Sequence, residues 1–463
     1  MFLWEHPFHS FPGQRMFPKH NIPAAVPAEL ATAPAPSRSS GKFSILHPPP
    51  RLQLGRGWLQ QSTAAKEEGE ERAGIRIPSP RTAAEEGGSA TPVPHSLRCP
   101  SASPQRGGAG PPLSPHLARQ GRPGPAPYVR AEAGRRGRSA MSWYRNTVWF
   151  VKGLREYTRG GYESAAKHFN PADVEVDVAG RSFLVTGANS GIGKATAKEI
   201  ARRGGTVHLV CRNKERAEVA KEEIVTETGN QNIFLHIVDL SNPKEIWKFA
   251  EKFQNEHKLN VLINNAGCMV NNRELTEDGL EKNFATNTLG TYIMTTALVP
   301  LLEKAADARV ITVSSGGMLV QKLNISDLQS GSGPFDGTMV YAQNKRQQVV
   351  LTEQWAKAYR NIHFSVMHPG WADTPAVRSS MPDFYERMKN SLRTEAQGAD
   401  TVLWLAVSAE ATKLPSGLFF QDRQPVPTHL PLAYTHSPPE DEEKLMEVLE
   451  EFSQKFKSVS PGV

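Results

Sequence analysis

Arg181-Ser182-Phe183-Leu184-Val185-Thr186-Gly187-Ala188-Asn189-Ser190-Gly191-Ile192-Gly193 is the stretch that decides the fold. Its first half is a short apolar run closed by glycine, the mark of a buried strand. Residues 193–203 then take up an amphipathic helical pattern. A strand passing through glycines into a helix N-terminus is the arrangement a pyrophosphate requires. Glycine lets the backbone approach closely, and the unpaired amides and helix dipole favour the anion. Gly187, Asn189, Ser190, Gly191, Ile192 and Gly193 are therefore expected to hold a dinucleotide. The spacing is G-x-x-x-G-x-G, not the more familiar G-x-G-x-x-G. Its place on the first strand-to-helix junction argues against an ordinary tight turn.

Outward from this turn, apolar runs alternate with longer helical stretches. Residues 181–186, 206–211, 233–238, 261–264, 310–313, 363–367 and 418–420 each read as a buried strand. Amphipathic segments such as 341–359 lie between them. The alternation predicts an α/β fold: a doubly wound, Rossmann-like parallel sheet of about seven strands with helices on both faces. The acidic run Glu440 to Glu443 opens a last helix over 444–455, whose Leu445, Val448, Leu449 and Phe452 are placed to cover the domain.

After the second strand stand Arg212 and Asn213. A site preferring NAD usually carries Asp or Glu there for the ribose hydroxyls. Arg212, with Lys194 just past the glycine turn, suits a 2′-phosphate instead, so NADP(H) is the expected cofactor. Further along come Val238-Asp239-Leu240, Asn264-Asn265-Ala266-Gly267, Asn287-Thr288-Leu289-Gly290, Ser314-Ser315, Tyr341-Ala342-Gln343-Asn344-Lys345, and His368-Pro369-Gly370-Trp371 followed by Thr374. A second Tyr–Lys pair, Tyr385 and Lys389, has the same spacing. Only Tyr341 follows a strand ending in two serines and precedes the Pro-Gly loop.

In this order the motifs resemble the short-chain dehydrogenase/reductase superfamily over about 250 residues. The resemblance implies an oxidoreductase that moves a hydride between NADP(H) and a carbonyl or alcohol. It implies catalytic roles for Asn287, Ser315, Tyr341 and Lys345. For the cofactor it implies Asp239 against adenine, and Asn264, Ala266, Gly267, Tyr341, Lys345, Pro369, Gly370 and Thr374 around the rest. The chemistry is proton management. An unperturbed phenol has a pKa of about 10 and must fall by roughly two or three to work near neutrality, worth about 3 to 4 kcal/mol. Lys345, one helical turn on, is the cation expected to supply much of that. Ser314 competes with Ser315, since strand phase decides which faces the cleft. The sequence also departs from the family's compact members: 26 positions separate Ser315 from Tyr341. The extra Lys322-Leu323-Asn324-Ile325-Ser326-Asp327-Leu328 reads as an insertion, like one in retinol-dehydrogenase-like members. The rival reading is a binding module that senses NADPH or serves as a scaffold without turnover; the complete Asn287, Ser315, Tyr341 and Lys345 set favours the enzyme.

Composition sets the remaining expectations. Residues 1–140 hold 22 of the 36 prolines and 18 basic against 9 acidic side chains. Such a segment buries too little apolar surface to offset its chain entropy and reads as a disordered extension. Its arginines lack interleaved aromatics, so no nucleic-acid partner is expected. Met141 begins more ordinary sequence, and the extension also reads as an alternative-start product. Residues 141–169 form a lead-in segment, 170–425 the NADP(H)-binding domain and 426–463 a linker and helix. In the lead-in, Trp143, Tyr144, Val148, Trp149, Phe150 and Leu154 alternate with Arg145, Lys152 and Arg155. This suits either contact with a membrane surface or an extra helix packed on the domain. Three cysteines with no C-x-x-C pair suggest a reduced compartment, and no stretch reaches the length of a bilayer span. A cytoplasmic or peripheral intracellular location follows. Cys211 and Cys268 read as buried small hydrophobes, and His368 as either a cofactor contact or a packing residue. The 14 histidines show no ligand-spaced cluster, which predicts no metal. The apolar stretch Pro375-Ala376-Val377 through Met381-Pro382-Asp383-Phe384-Tyr385 and Met388 points to a lipophilic small-molecule carbonyl or alcohol. Oligomeric state has no signature.

Overall fold

The computed structural model describes residues 128–457. Of the expected disordered extension, residues 1–127 lie outside the described residues, while 128–140 belong to the first helix, α1 (Tyr128–Glu156). After it come α2 (Arg159–Ala166), β1 (Ser182–Thr186), α3 (Gly191–Arg202), β2 (Thr206–Cys211), α4 (Lys214–Thr228), β3 (Ile233–Ile237), α5 (Pro243–Glu256) and β4 (Val261–Asn264). Then follow α6 (Lys282–Phe284), α7 (Gly290–Leu302), β5 (Ala308–Val313), α8 (Gly337–Ala358) and β6 (Ile362–Met367). The chain closes with α9 (Pro375–Ser380), α10 (Pro382–Met388), α11 (Glu395–Val407), α12 (Ala409–Thr412), β7 (Phe419–Gln421), β8 (Gln424–Pro425) and α13 (Pro439–Phe456).

The sheet order is β3-β2-β1-β4-β5-β6-β7-β8, parallel from β3 to β7. Strands β1, β4 and β5 are buried along their whole length, as a sheet covered on both faces requires. One core joins the sheet to α5, α7, α8 and α13; the other joins it to α3, α4 and α11. Leu445 and Leu449 of α13 are fully buried in the first core, with Val448 and Phe452 packed against it. Strand order reverses between β1 and β4, which opens a crevice beyond their carboxyl ends.

The eighth strand was not foreseen. β8 is two residues long and ends in proline, too short for any apolar run to show. It pairs antiparallel with β7 through Asp422 and Arg423, both left-handed at φ 49° and 59°, as a tight type I′ hairpin needs. Buried ion pairs to Arg393 and Asp400 hold these strained residues.

The lead-in helix packs on the domain. Trp149 Nε1 donates to Gly316 O at 2.8 Å, and Trp149, Phe150 and Tyr157 surround Trp371 at centroid distances of 5.8, 5.9 and 5.8 Å. Its other face leaves Trp143 67%, Val151 61% and Leu154 45% exposed.

Candidate active-site cleft

A cleft of about 740 Å³ lies at the β1/β4 crevice. Gly187, Asn189, Ser190, Gly191 and Ile192 line one end. Gly187 (φ +66°) runs so close to Ala266 that a Cβ would sit 2.9 Å from its Cα. Gly193 lies behind the cleft, where a Cβ would collide with the Asn265 amide and the Gly187 backbone; it serves helix-to-turn packing. Helices α4, α5, α8 and α11 are each capped by a side chain. The N-cap of α3, Ser190, makes no such bond, so the first amides of α3 remain available to an anion.

The sequence reading missed the residue that shapes this turn. Asn265 Nδ2 donates to Thr186 O and Gly187 O at 2.9 and 3.3 Å, and the Asn265 and Ala266 amides both donate to Thr186 Oγ1 at 3.0 Å. Asn264, expected at the cofactor, points into the core, where its Nδ2 donates to Thr295 Oγ1 at 2.9 Å. Strand phase separates the two asparagines, and the doublet in the sequence conceals it. Ala266 and Gly267 do line the cleft.

Beyond β2, Arg212 lines the cleft, joined by Arg216 from the first turn of α4, which the sequence reading overlooked. Neither makes an ion pair among the described residues. Lys194, by contrast, is engaged by Glu223 of α4. Asp239 reaches the cleft with its Oδ1 accepting from the Ser241 amide and hydroxyl, both at 2.8 Å.

At the inner end lie Ser315, Tyr341 and Lys345. Ser314 and Ser315 both line the cleft, with different partners. Ser314 Oγ donates to Lys345 O at 2.8 Å and is buried, while the Ser315 hydroxyl hydrogen-bonds the Tyr341 side chain and accepts from Gly317 N at 3.1 Å. Lys345 is 2% exposed, with Nζ 5.4 Å from the Tyr341 ring centre. It donates to Val313 O at 2.9 Å and Gln348 Oε1 at 3.0 Å. Gln348 Nε2 in turn donates to Asn287 O at 2.8 Å, so one glutamine bridges lysine and asparagine. Asn287 sits behind the cleft in a π turn, Ala285–Leu289, a local irregularity common at functional sites. Its side chain is spent on both backbone groups of Cys268 (2.9 and 2.8 Å) and on Asn344 Oδ1 at 3.2 Å.

The expected lowering of the tyrosine is not found in this cleft. Burial pushes the Tyr341 phenol up, Cys268 adds to the rise, and the Ser315 hydrogen bond opposes it. The physical reason is that Lys345 is itself desolvated. Burial brings its ammonium down to about 7, so near neutrality it is only partly charged. Burial also raises the thiol of Cys268, which lines the cleft, as expected of a packed rather than a nucleophilic cysteine.

Pro369, Gly370 and Thr374 close the outer wall. Thr374 caps α9 through Val377 N at 3.3 Å. Gly370 (φ +73°) lies against Arg393, 1% exposed, a hub no sequence signal announced. Its guanidinium grips Asp422 at 2.6 and 2.9 Å and donates to Pro369 O, Tyr157 O and Glu156 O at 3.3, 3.0 and 2.6 Å. One cation thus ties the loop to α1 and to the β7–β8 hairpin. His368 is a packing residue: Nδ1 accepts from Gly370 N at 3.1 Å, Nε2 meets Gln421 Oε1 at 2.9 Å, and burial holds it down at about 4. Met269, Val270, Trp371, Val377, Met381 and Phe384 supply an apolar wall beside Tyr341. The insertion after Ser315 folds onto α8, burying Leu323 and Leu328.

Residues 181–383 match the short chain dehydrogenase family model. The chain is 72% identical over 317 residues to dehydrogenase/reductase SDR family member 12 of Bos taurus, covering 68% of this chain and all of that protein. It is 36% identical over 252 residues to human retinol dehydrogenase 11, 53% of this chain and 79% of that protein. A solved structure of a protein from Mycobacterium paratuberculosis aligns with a TM-score of 0.49 at 26% identity, over 60% of this chain and 95% of that one.

Proposed function

From a chain that belongs to the short-chain dehydrogenase/reductase family, we propose an NADP(H)-dependent oxidoreductase that interconverts a lipophilic carbonyl and its alcohol, with Tyr341 as general acid/base. The observation that carries it is the convergence of Ser315, Tyr341 and Lys345 at the inner end of a cleft whose other end is the uncapped glycine turn. A dinucleotide phosphate fits the residues present. The turn leaves no room for a Cβ at Gly187, α3 offers free amides, and Arg212 and Arg216, without an ion pair among the described residues, face the cleft for the 2′-phosphate.

When bound, the cofactor supplies or accepts the hydride. The protein does the rest. In the reducing direction the Ser315 hydroxyl donates to the substrate oxygen and fixes it beside Tyr341 Oη, which gives that oxygen its proton. A neutral phenol is the form the buried site favours, which is the form an acid needs. The phenolate left behind is stabilised by the Lys345 ammonium one turn along α8. The proton returns to Tyr341 from solvent entering the cleft, while Lys345 is held in place by Gln348 Oε1 and Gln348 by the Asn287 carbonyl. The wall of Met269, Val270, Trp371 and Phe384 keeps water from the reacting carbon and selects an apolar substrate. The retinol dehydrogenases among the relatives are named for an apolar alcohol, which supports this class.

An apolar substrate is stored in membranes, and the surface suits contact with one. Among the described residues no helix is long and apolar enough to cross a bilayer. The exposed Trp143, Val151 and Leu154 of α1 continue into a loop that shows Leu432 and Tyr434, 71% and 70% exposed. Both hold left-handed backbone, φ 56° and 51°, while the neighbouring Leu430 and Ala433 are buried. Tyr144 Oη to Pro431 O (2.9 Å) and Arg145 Nε to Ala433 O (2.7 Å) join helix and loop. Strained apolar residues held at the surface are a cost that membrane contact offsets.

The test is to titrate NADPH and NADH into the protein and follow nicotinamide fluorescence, then screen apolar aldehydes and ketones beside a Tyr341→Phe control. NADPH is expected to bind at least about tenfold tighter, with Arg212→Ser and Arg216→Ser each lowering that preference. Turnover should vanish in Tyr341→Phe while cofactor binding persists. Equal binding of the two cofactors would remove the phosphate role of the arginines. Tight NADPH binding with no turnover on any carbonyl would favour a sensor or scaffold.

A further inference from the structure

We propose that His208, His236 and His257 form a metal site that takes one Zn²⁺ ion, independent of the cleft. The sequence separates these residues widely, so no ligand spacing is visible, and the expectation of no metal rested on that absence. The sheet brings them together. In the parallel register of β2 and β3, His208 lies opposite Phe234 and Val210 opposite His236. The two histidines therefore stand two positions apart on one face of the sheet. Helix α5 crosses that face, and His257, its C-cap residue, completes the group. One ring nitrogen from each histidine lies within 4.8 Å of the other two.

The spacing is close to what the ion needs. Zn–N bonds of about 2.0–2.1 Å in a tetrahedron set ligand nitrogens roughly 3.3 Å apart. His208 Nδ1 and His236 Nε2 are 3.0 Å apart, so these two need move only a few tenths of an ångström. His257 must swing in somewhat further. Its side chain is 23% exposed and sits on a helix terminus, which leaves it free to do so and gives the ion a way in. A hydrogen bond alone is served by two rings; the third nitrogen, within 4.8 Å of both, adds nothing to that pair but is what a metal requires.

The surroundings also suit a structural ion. Phe253 and Phe234 stand 4.8 and 5.1 Å from the His208 ring, and Phe249 5.2 Å from His236. This apolar collar fixes the imidazoles and excludes competing donors from the inner side. Glu256 Oε2, 3.9 Å from His257 Nε2, is placed on the solvent side to orient that ring or a fourth, water ligand. Imidazole nitrogens suit Zn²⁺ over Mg²⁺ or Ca²⁺, which prefer oxygen. An ion here would clamp β2, β3 and the end of α5.

The experiment strips the full-length protein with a chelator and titrates it with Zn²⁺, then Co²⁺, while calorimetry and visible absorption report. Uptake of one ion per chain is expected, with the Co²⁺ form showing the intense bands of tetrahedral nitrogen coordination and the thermal midpoint rising with Zn²⁺. His236→Ala and His257→Ala, at half-buried positions that leave the core intact, should each weaken binding at least about tenfold. His429→Ala, in a separate histidine pair, should leave it unchanged. Absence of stoichiometric uptake by the unaltered protein overturns the site, as does uptake that survives both substitutions.

Discussion

Replacing Lys345 with methionine should make the protein more stable and leave it inactive, and the reasoning can be followed in numbers. Lys345 is 2% exposed, and burial brings it from 10.5 to about 7. A depressed lysine binds fewer protons folded than unfolded between those two values. Its presence therefore destabilises the fold most below pH 7, and the penalty fades as pH rises toward 10.5. At 1.36 kcal/mol for each pH unit, the penalty at pH 7 is about 4 kcal/mol, and at pH 9 about 2 kcal/mol. Methionine has similar length and no charge. It forfeits the hydrogen bonds to Val313 O and Gln348 Oε1 and leaves those acceptors unpaired, at a cost of about 2 to 3 kcal/mol. The variant should exceed the unaltered protein by about 1 to 2 kcal/mol at pH 7, and the advantage should vanish or reverse by pH 9. Urea unfolding followed by tryptophan fluorescence at the two pH values reads both quantities. A variant less stable at pH 7, with the same difference at pH 9, would falsify the claim that the ammonium is buried at a cost. Occupancy of the cleft by an anionic cofactor should narrow the gap, since it favours the charged lysine.

Ser315→Ala should lower kcat by about 10²-fold by removing the donor to the substrate oxygen. Ser314→Ala should instead cost about 1 kcal/mol of stability, through the lost bond to Lys345 O, and leave kcat within a few-fold; steady-state kinetics beside denaturation separate the two. Gln348→Leu breaks the bridge between Lys345 and Asn287 and should move the pH profile of kcat while leaving KM nearly unchanged, whereas a purely structural role would lower the folded fraction without moving the profile. Leu432→Asp and Tyr434→Asp should each reduce co-sedimentation with phosphatidylcholine–phosphatidylserine vesicles by about tenfold or more, the scale of one apolar side chain's transfer. Unchanged sedimentation would remove the membrane reading.

What the sequence made legible was local. The glycine turn is a strand end, a loop and a helix start, all contiguous, so spacing along the chain is spacing in the molecule. Tyr341 and Lys345 share one helix, where four residues make one turn and place the lysine under the tyrosine ring. Arg216 was not within reach of that rule, since Arg212 precedes Asn213, the N-cap of α4, and only Arg216 is helical. Asn264 and Asn265 mark the limit. They are neighbours in sequence and face opposite ways, and only the point where β4 ends decides which one meets the glycine turn.

The features that stayed hidden are those made by register and long-range closure. Arg393 lies in no motif, yet its guanidinium reaches backbone from α1, the Pro-Gly loop and the β7–β8 hairpin. An arginine so placed looks, in sequence, like any solvated cation. The three histidines are the same case. Their grouping depends on β3 pairing with β2 so that Val210 faces His236; a slip of one residue would turn His236 to the opposite face of the sheet. The tyrosine's ionisation was misjudged for a related reason. Helical spacing places a cation near the phenol, but whether that cation is charged depends on burial by β5 and the π turn 285–289, segments distant in the chain. Lys345 and Tyr341 share one dry pocket in which each disfavours its own charge. The pair therefore rests close to neutrality, and an anion entering at the glycine turn shifts the lysine toward its charged form. Anion capture by the α3 amides and the arginines is then coupled to the tyrosine, since the lysine it charges is the one that stabilises the phenolate.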